Sequence, residues 1–119
     1  MRNISFALTT PQFLANQKTV TRRVGWANLR LGTLLMACRK CQGIRPGEKI
    51  ERLGVIAVSS VRRERLDAIS TRDVIREGFP EMSPDEFVDM FCKHMKVEPS
   101  AFVTRIEFKR IQDESEARS

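Results

Sequence analysis

Seven consecutive residues, Gln17-Lys18-Thr19-Val20-Thr21-Arg22-Arg23, bring together one amine, two hydroxyls and two guanidinium groups. In an extended segment side chains alternate, so Lys18, Val20 and Arg22 share one face and Thr19, Thr21 and Arg23 the other. Each face then carries a cation, which suits a phosphate or a polar carbonyl. A twist or turn would bring Lys18 and Thr21 towards one pocket. The same charges on a solvated edge strand would instead guard against unwanted pairing, and these residues alone leave both readings open.

Other groups bear on chemistry singly. Glu77 precedes Gly78 and Phe79 where a helix ends beside an apolar patch. A carboxylate there either points into a cleft and pairs with a lysine, or sits exposed at a helix terminus. Cys38-Arg39-Lys40-Cys41 has zinc-knuckle spacing, with only Cys92 and His94 to complete a tetrahedral set. Residues two apart on a helix lie ~200° from one another around its axis, so that pair cannot readily face one ion. Cys38 is therefore read as core and Cys41 as loop, and neither metal nor cofactor is expected. His94 falls on the apolar stripe of a helix and is expected against the core, which leaves no Ser-His or Cys-His pair. Trp26 lies near Arg22, Arg23 and Arg30, a mixture of aromatic and cation found on base-stacking surfaces; a lone tryptophan serves equally as core.

Charge widens this picture. The 119 residues carry a net +6, but residues 1–65 hold 13 Lys or Arg against 3 Asp or Glu, while residues 66–119 hold 8 against 12. A basic half of this kind attracts polyanions. RNA or a nucleotide is thus the expected partner, with Arg22, Arg23, Trp26, Arg39, Lys40, Arg62 and Arg63 as its contacts. The alternatives are that the two halves neutralise each other across the folded surface, or that the asymmetry serves a protein partner. No apolar run approaches a membrane span or a secretory signal, so a cytoplasmic chain without a membrane partner is expected. Its three cysteines are expected to be reduced.

These groups need elements to hold them. Residues 4–9 read as a strand with Ile4, Phe6 and Leu8 on one face. Thr10 then caps a short helix that starts at Pro11 and ends by Asn16. Residues 25–32 are irregular, anchored by Trp26 and Leu29. The apolar run over 33–39 predicts a strand buried on both faces, with a buried helix of that length left open by periodicity, residues 40–49 a loop, and residues 50–63 a long strand bent at Gly54. Ser70 or Thr71 caps a helix that Gly78 ends. Ser83, Pro84 and Glu86 open another, running to Met95 or Lys96, with Phe87, Met90, Phe91, His94 and Met95 as its apolar stripe. A last strand covers 101–111. One α+β domain over 1–111 is expected, followed by a polar, frayed tail over 112–119.

Lys18-Thr19-Val20-Thr21-Arg22-Arg23, the Gly47 loop, the strand through Val55 and Val61 to Arg62-Arg63, Glu77-Gly78-Phe79-Pro80, the helix carrying Phe87-Val88-Asp89-Met90-Phe91-Cys92, and Val103-Thr104-Arg105-Ile106-Glu107-Phe108 together resemble an ASCH domain. The resemblance spans nearly the whole chain and is nearest to the short stand-alone forms of bacteria and their phages. It implies a PUA-like fold, a small bent β-barrel of about five strands with two to three helices packed over it, in a family viewed as RNA-binding or RNA-modifying. Small bacterial members similar to this chain include an amidohydrolase that deacetylates acetylcytidine with a lysine, a threonine and a glutamate. Carried over by motif, these fall on Lys18, Thr21 and Glu77. The implied chemistry is coherent, because a threonine hydroxyl needs a base to become nucleophilic and a buried lysine can serve as one. Another member has been regarded as a metal-assisted ribonuclease, and this chain has no obvious metal cluster. The Arg22-Arg23 pair favours a larger anionic ligand. The leading expectation is therefore an RNA- or nucleotide-binding protein with a Lys/Thr/Glu cleft, with nucleoside deacylation and RNA cleavage as alternatives.

Overall fold

The computed structural model describes residues 1–41 and 45–111. Five strands, β1 (Arg2–Ser5), β2 (Val20–Arg23), β3 (Leu34–Cys38), β4 (Arg52–Arg65) and β5 (Phe102–Arg110), form one sheet in the order β1-β3-β4-β5-β2. β1 runs parallel to β3, and every other pair is antiparallel. Three helices accompany the sheet: α1 (Thr10–Leu14), α2 (Thr71–Arg76) and α3 (Pro84–Met95). The α+β class is the expected one, and the small bent barrel takes the form of a curled half-barrel sheet. Among the described residues no ladder joins β1 to β2, so the curl stays open along one seam.

Burial explains the layering. Ile4, Phe6, Phe13, Leu35, Ile56, Ile106 and Phe108 fill the inside of the curl, where the Phe6 and Phe108 rings lie 5.5 Å apart. Val103 points the other way, onto Leu66, Ile69, Val74, Phe87 and Val88 beneath α2 and α3. β5 thus has a core on each side, and each large apolar side chain it buries contributes about 1.5–3 kcal/mol. β4 bends where the sequence places Gly54: φ is +149° there and the register with β3 shifts beside it. A second shift against β5, between Val58 and Ser60, tightens the curl.

Both later helices start on the expected residues. The Ser70 hydroxyl accepts from Asp73 N at 3.1 Å, and Ser83 with Glu86 forms a reciprocal capping box. Elsewhere the local reading needs correction. β1 stops at Ser5 because Thr9 N turns back onto the Phe6 carbonyl at 3.0 Å, which leaves Leu8 exposed. The cap position of α1 falls to Thr9, since the Thr10 hydroxyl donates to that same carbonyl. β3 is not evenly buried on both faces: Leu35 and Ala37 are fully buried, while on the opposite face Leu34 is exposed and Met36 half-buried. β4 continues to Arg65 because β5 offers it partners as far as Phe102, and a 3-10 turn, Leu66–Ala68, follows that the periodicity did not signal. Gly43 and the tail over 112–119 lie outside the described residues. Among the residues described, no helix is long and apolar enough to cross a membrane.

Candidate functional site

The chain entering β2 is clamped between two helices. Gln17 N and Lys18 N both donate to the Gln12 carbonyl of α1, at 2.9 and 3.3 Å, and Thr19 N donates to the Arg76 carbonyl of α2 at 2.9 Å. That clamp drives Lys18 inward until it is 4% exposed. Its Nζ donates to Glu77 Oε1 at 2.9 Å and to the Glu77 backbone carbonyl at 2.8 Å. Glu77 caps α2 and is 3% exposed, so it is no open helix terminus. The following Gly78 has φ +102°, and a Cβ on it would lie 2.9 Å from Gln12 Cβ. Only glycine lets α2 end this close to α1 while turning Glu77 inward.

Behind this pair lies a buried charge network. The ladders place Arg22 opposite Arg105, and Arg105 opposite Arg62, three guanidinium groups across neighbouring strands. Like charges in that position repel unless carboxylates intervene. Here Asp73 Oδ2 accepts from Arg22 Nη2 and from Arg105 Nε, each at 2.7 Å. Glu64 accepts from Arg22 at 2.5 Å and from Arg62 at 3.2 Å, and Glu77 Oε2 takes Arg22 Nη1 at 3.2 Å. Burial alone would raise the Asp73 carboxyl, but hydrogen bonds from Arg105 and Arg22 hold it well below the usual range. Burial works against the Arg22 charge too, yet Asp73, Glu77 and Glu64 carry its pKa above the ordinary arginine value.

In front of the network a cavity of about 250 Å³ opens at the seam between β1 and β2. Lys18, Thr21, Arg22, Arg23 and Glu77 supply its polar groups; Phe6, Phe79, Phe87, Met90 and Phe91 supply apolar wall. An apolar hollow with a few convergent polar groups is the usual form of a small-ligand site. β2 contributes residues from both of its faces, which is open to it because it is a margin of the sheet. The strand is thus an edge, as one reading held, but a covered one. Thr21 is 3% exposed, and its Oγ1 accepts from Arg23 Nε at 3.1 Å. Arg23 then crosses the seam to donate from Nη2 to the Ser5 carbonyl at 2.6 Å. Burial draws Lys18 below its ordinary pKa, with the Glu77 carboxylate pulling the opposite way. Burial also lowers Arg23, to about 10.

The expected catalytic trio Lys18, Thr21 and Glu77 therefore borders one cavity, while the expected nucleic-acid contacts are scattered. Arg22 is buried and ion-paired, so it offers no free charge to a phosphate. Arg23 serves Thr21 and Ser5. The Trp26 ring packs on the core and carries the Arg2 guanidinium 3.5 Å from its centroid, in a separate groove with Arg30. Arg39 is exposed but paired with Glu51 at 2.6 Å, and Lys40 is exposed. Arg62 reaches Glu64, and Arg63 donates to the Thr104 hydroxyl at 2.8 Å, which in turn donates to the Gly25 carbonyl. His94 is exposed at the cavity rim rather than packed in the core, because the C-terminal turn of α3 extends beyond the second core. Cys38 is fully buried and its thiol is pushed up to about 11 by burial and by Cys41. Among the described residues no group of three His, Cys, Asp or Glu side chains could hold a metal ion. Asp73, Glu64 and Arg105 were not foreseen. Their one local signal is Arg105 itself, a charge between Val103 and Ile106 on a strand.

No family profile and no curated protein matches the sequence. Solved structures do resemble it. An ASCH domain from Lactobacillus crispatus superposes with a TM-score of 0.60 at 13% identity, over 92% of this chain and 78% of that one. A DUF984 protein from Enterococcus faecalis gives 0.60 at 13% identity, over 87% and 70%. A Tyr-to-Phe variant of an ASCH protein from Zymomonas mobilis gives 0.52 at 14% identity, over 93% and 73%.

Proposed function

We propose, for a chain that has the fold of ASCH domain proteins, that the cavity accepts a nucleobase-sized ligand and removes an acyl group from it, as an amidohydrolase acting on an N-acylated nucleoside such as acetylcytidine. The observation that carries this reading is Lys18: an amine buried against Glu77, its pKa lowered by desolvation, bordering the same hollow as the Thr21 hydroxyl. A buried lysine of this kind is a base rather than a phosphate anchor.

In the proposed reaction the neutral Lys18 amine takes the Thr21 proton as Oγ1 bonds to the acyl carbon. The Arg23 Nε–H donated to Oγ1 fixes the orientation of that hydroxyl, while the negative charge develops on the former carbonyl oxygen of the acyl group. Collapse of the tetrahedral intermediate breaks the carbon–nitrogen bond, and the departing amine takes the proton from Lys18. Water then attacks the threonyl ester with Lys18 again as base, releasing a carboxylic acid. Glu77 holds the lysine in position through two hydrogen bonds. The expected outcome is release of acetate and cytidine from acetylcytidine, read by mass spectrometry, with Lys18→Met and Thr21→Val slower by about 100-fold or more. Wild-type turnover no faster than that of these variants would sink the reading.

A second reading, RNA binding, draws on one feature outside the cavity. Residues 1–47 contain no Asp or Glu at all, and Arg2, Arg30 and Lys40 are exposed within them. A polyanion would lie on this outer surface, since in the cavity Lys18 and Arg22 are already paired with carboxylates.

A further inference from the structure

β1 borders the cavity at its Ser5 end and a second hollow at its Arg2 end. This outer groove, of about 600 Å³, is lined by Arg2, Trp26, Asn28, Arg30, Thr33 and Leu34 among others. Trp26 sits there on a left-handed backbone, φ +59°, which bulky residues rarely adopt. The loop that carries it is fastened at both ends. The Thr104 hydroxyl of β5 donates to the Gly25 carbonyl, and Val58 of β4 takes Gly32 N at 2.8 Å and donates to the Thr33 carbonyl at 3.0 Å. Backbone strain upheld by such anchors is typical of binding positions.

The half-buried Trp26 ring packs against the inner core and holds the Arg2 guanidinium 3.5 Å from its centroid. A guanidinium that close lies over the ring, and because Arg2 is exposed its other plane is left to solvent. Charge points the same way. The groove contributes Arg2 from β1 and Arg30 from the loop, no carboxylate lines it, and residues 1–47 hold none. We infer that this groove is a base-stacking subsite for single-stranded RNA, with one base laid on the Trp26-supported guanidinium of Arg2 and Arg30 drawing the neighbouring phosphates. A plane of this kind takes the face of an unpaired base, which a duplex conceals. An acidic peptide would use the same cations but gain nothing from the plane.

This inference rests on the RNA-binding reading and gives it a place. Trp26 is the only tryptophan and the chain has no tyrosine, so its emission reports on the groove directly. Short oligouridylate would be titrated into the wild-type protein, with affinity read by anisotropy and Trp26 emission followed in parallel. Emission is expected to change with the same midpoint as binding, and an abasic strand of equal length to bind about 10-fold or more weakly. Arg2→Lys keeps the charge but loses the plane; it is expected to weaken oligouridylate by about 5-fold or more while leaving the salt dependence unchanged. Arg30→Ala is expected to lower the slope of log affinity against log salt by about 0.7. Since the Arg2 and Arg30 side chains are exposed, neither variant removes core packing. Salt-dependent binding that leaves Trp26 emission unchanged, is matched by the abasic strand, or is indifferent to Arg2→Lys overturns the inference and leaves the outer-surface reading standing. Failure to bind oligouridylate at low salt removes both.

Discussion

An amine at the position of Lys18 is useful only when it is unprotonated. Burial pulls its pKa below 10.5, with Glu77 opposing, so the active fraction grows as pH rises through that lowered value. Hydrolysis should accordingly increase with pH along a limb set by Lys18. Glu77→Gln removes the opposing carboxylate and should move that limb to lower pH, read from kcat profiles; an unmoved limb would place the titrating group elsewhere. Asp73 answers to acid. Its folded pKa lies below the 3.8 of a free carboxyl, so the stability it contributes is complete above about pH 4 and is lost as pH falls towards the folded value. Asp73→Asn leaves Arg22 and Arg105 without their shared carboxylate and should cost about 3–5 kcal/mol in urea unfolding. That Lys18, Thr21 and Glu77 border one cavity was legible because a motif carried them. Arg22 was misjudged because Glu64, Asp73 and Glu77 lie 42, 51 and 55 residues away in sequence, and only the fold brings them to it.

At the scale of elements, the junction of α1 with the end of α2 decides whether the site exists. Gly78→Ala strains a left-handed backbone, at about 1–2 kcal/mol, and sets a methyl group against Gln12. The variant should melt lower and lose hydrolysis beyond its loss of folded protein, because Glu77 moves with the junction. A variant that is less stable but fully active when folded would show that Glu77 tolerates the shift. Helices α2 and α3 could be read from sequence since each carries its own cap, Ser70 or Ser83, within three residues of the donor it satisfies. The start of α1 could not. The choice between Thr9 and Thr10 turns on which group captures the Phe6 carbonyl, and both contend for it. The faces of β3 were beyond reach for a related reason: its composition says apolar, whereas exposure depends on a layer that α2 and α3 place elsewhere.

Across the whole molecule, the contrast between a basic first half and an acidic second half is partly consumed inside. Lys18 and Arg22 come from the first, Asp73 and Glu77 from the second, and their pairing welds β2 to α2. What remains for a polyanion is the outer surface. Binding of a short RNA should therefore weaken steeply with salt, weaken further in Arg30→Ala and Lys40→Ala, and be indifferent to Lys18→Met. Dependence on Lys18 would instead put the strand in the cavity. The open seam has a consequence of its own. Between β1 and β2 the described bridge is one arginine side chain, where a closed barrel would have a ladder of backbone bonds. Rotation of Arg23 away from Ser5 would remove that bridge and widen the entrance to the hollow. A guest that touches both margins then acts as a rivet: it completes the barrel that the chain leaves unfinished, so that occupancy of the hollow and rigidity of the sheet rise together.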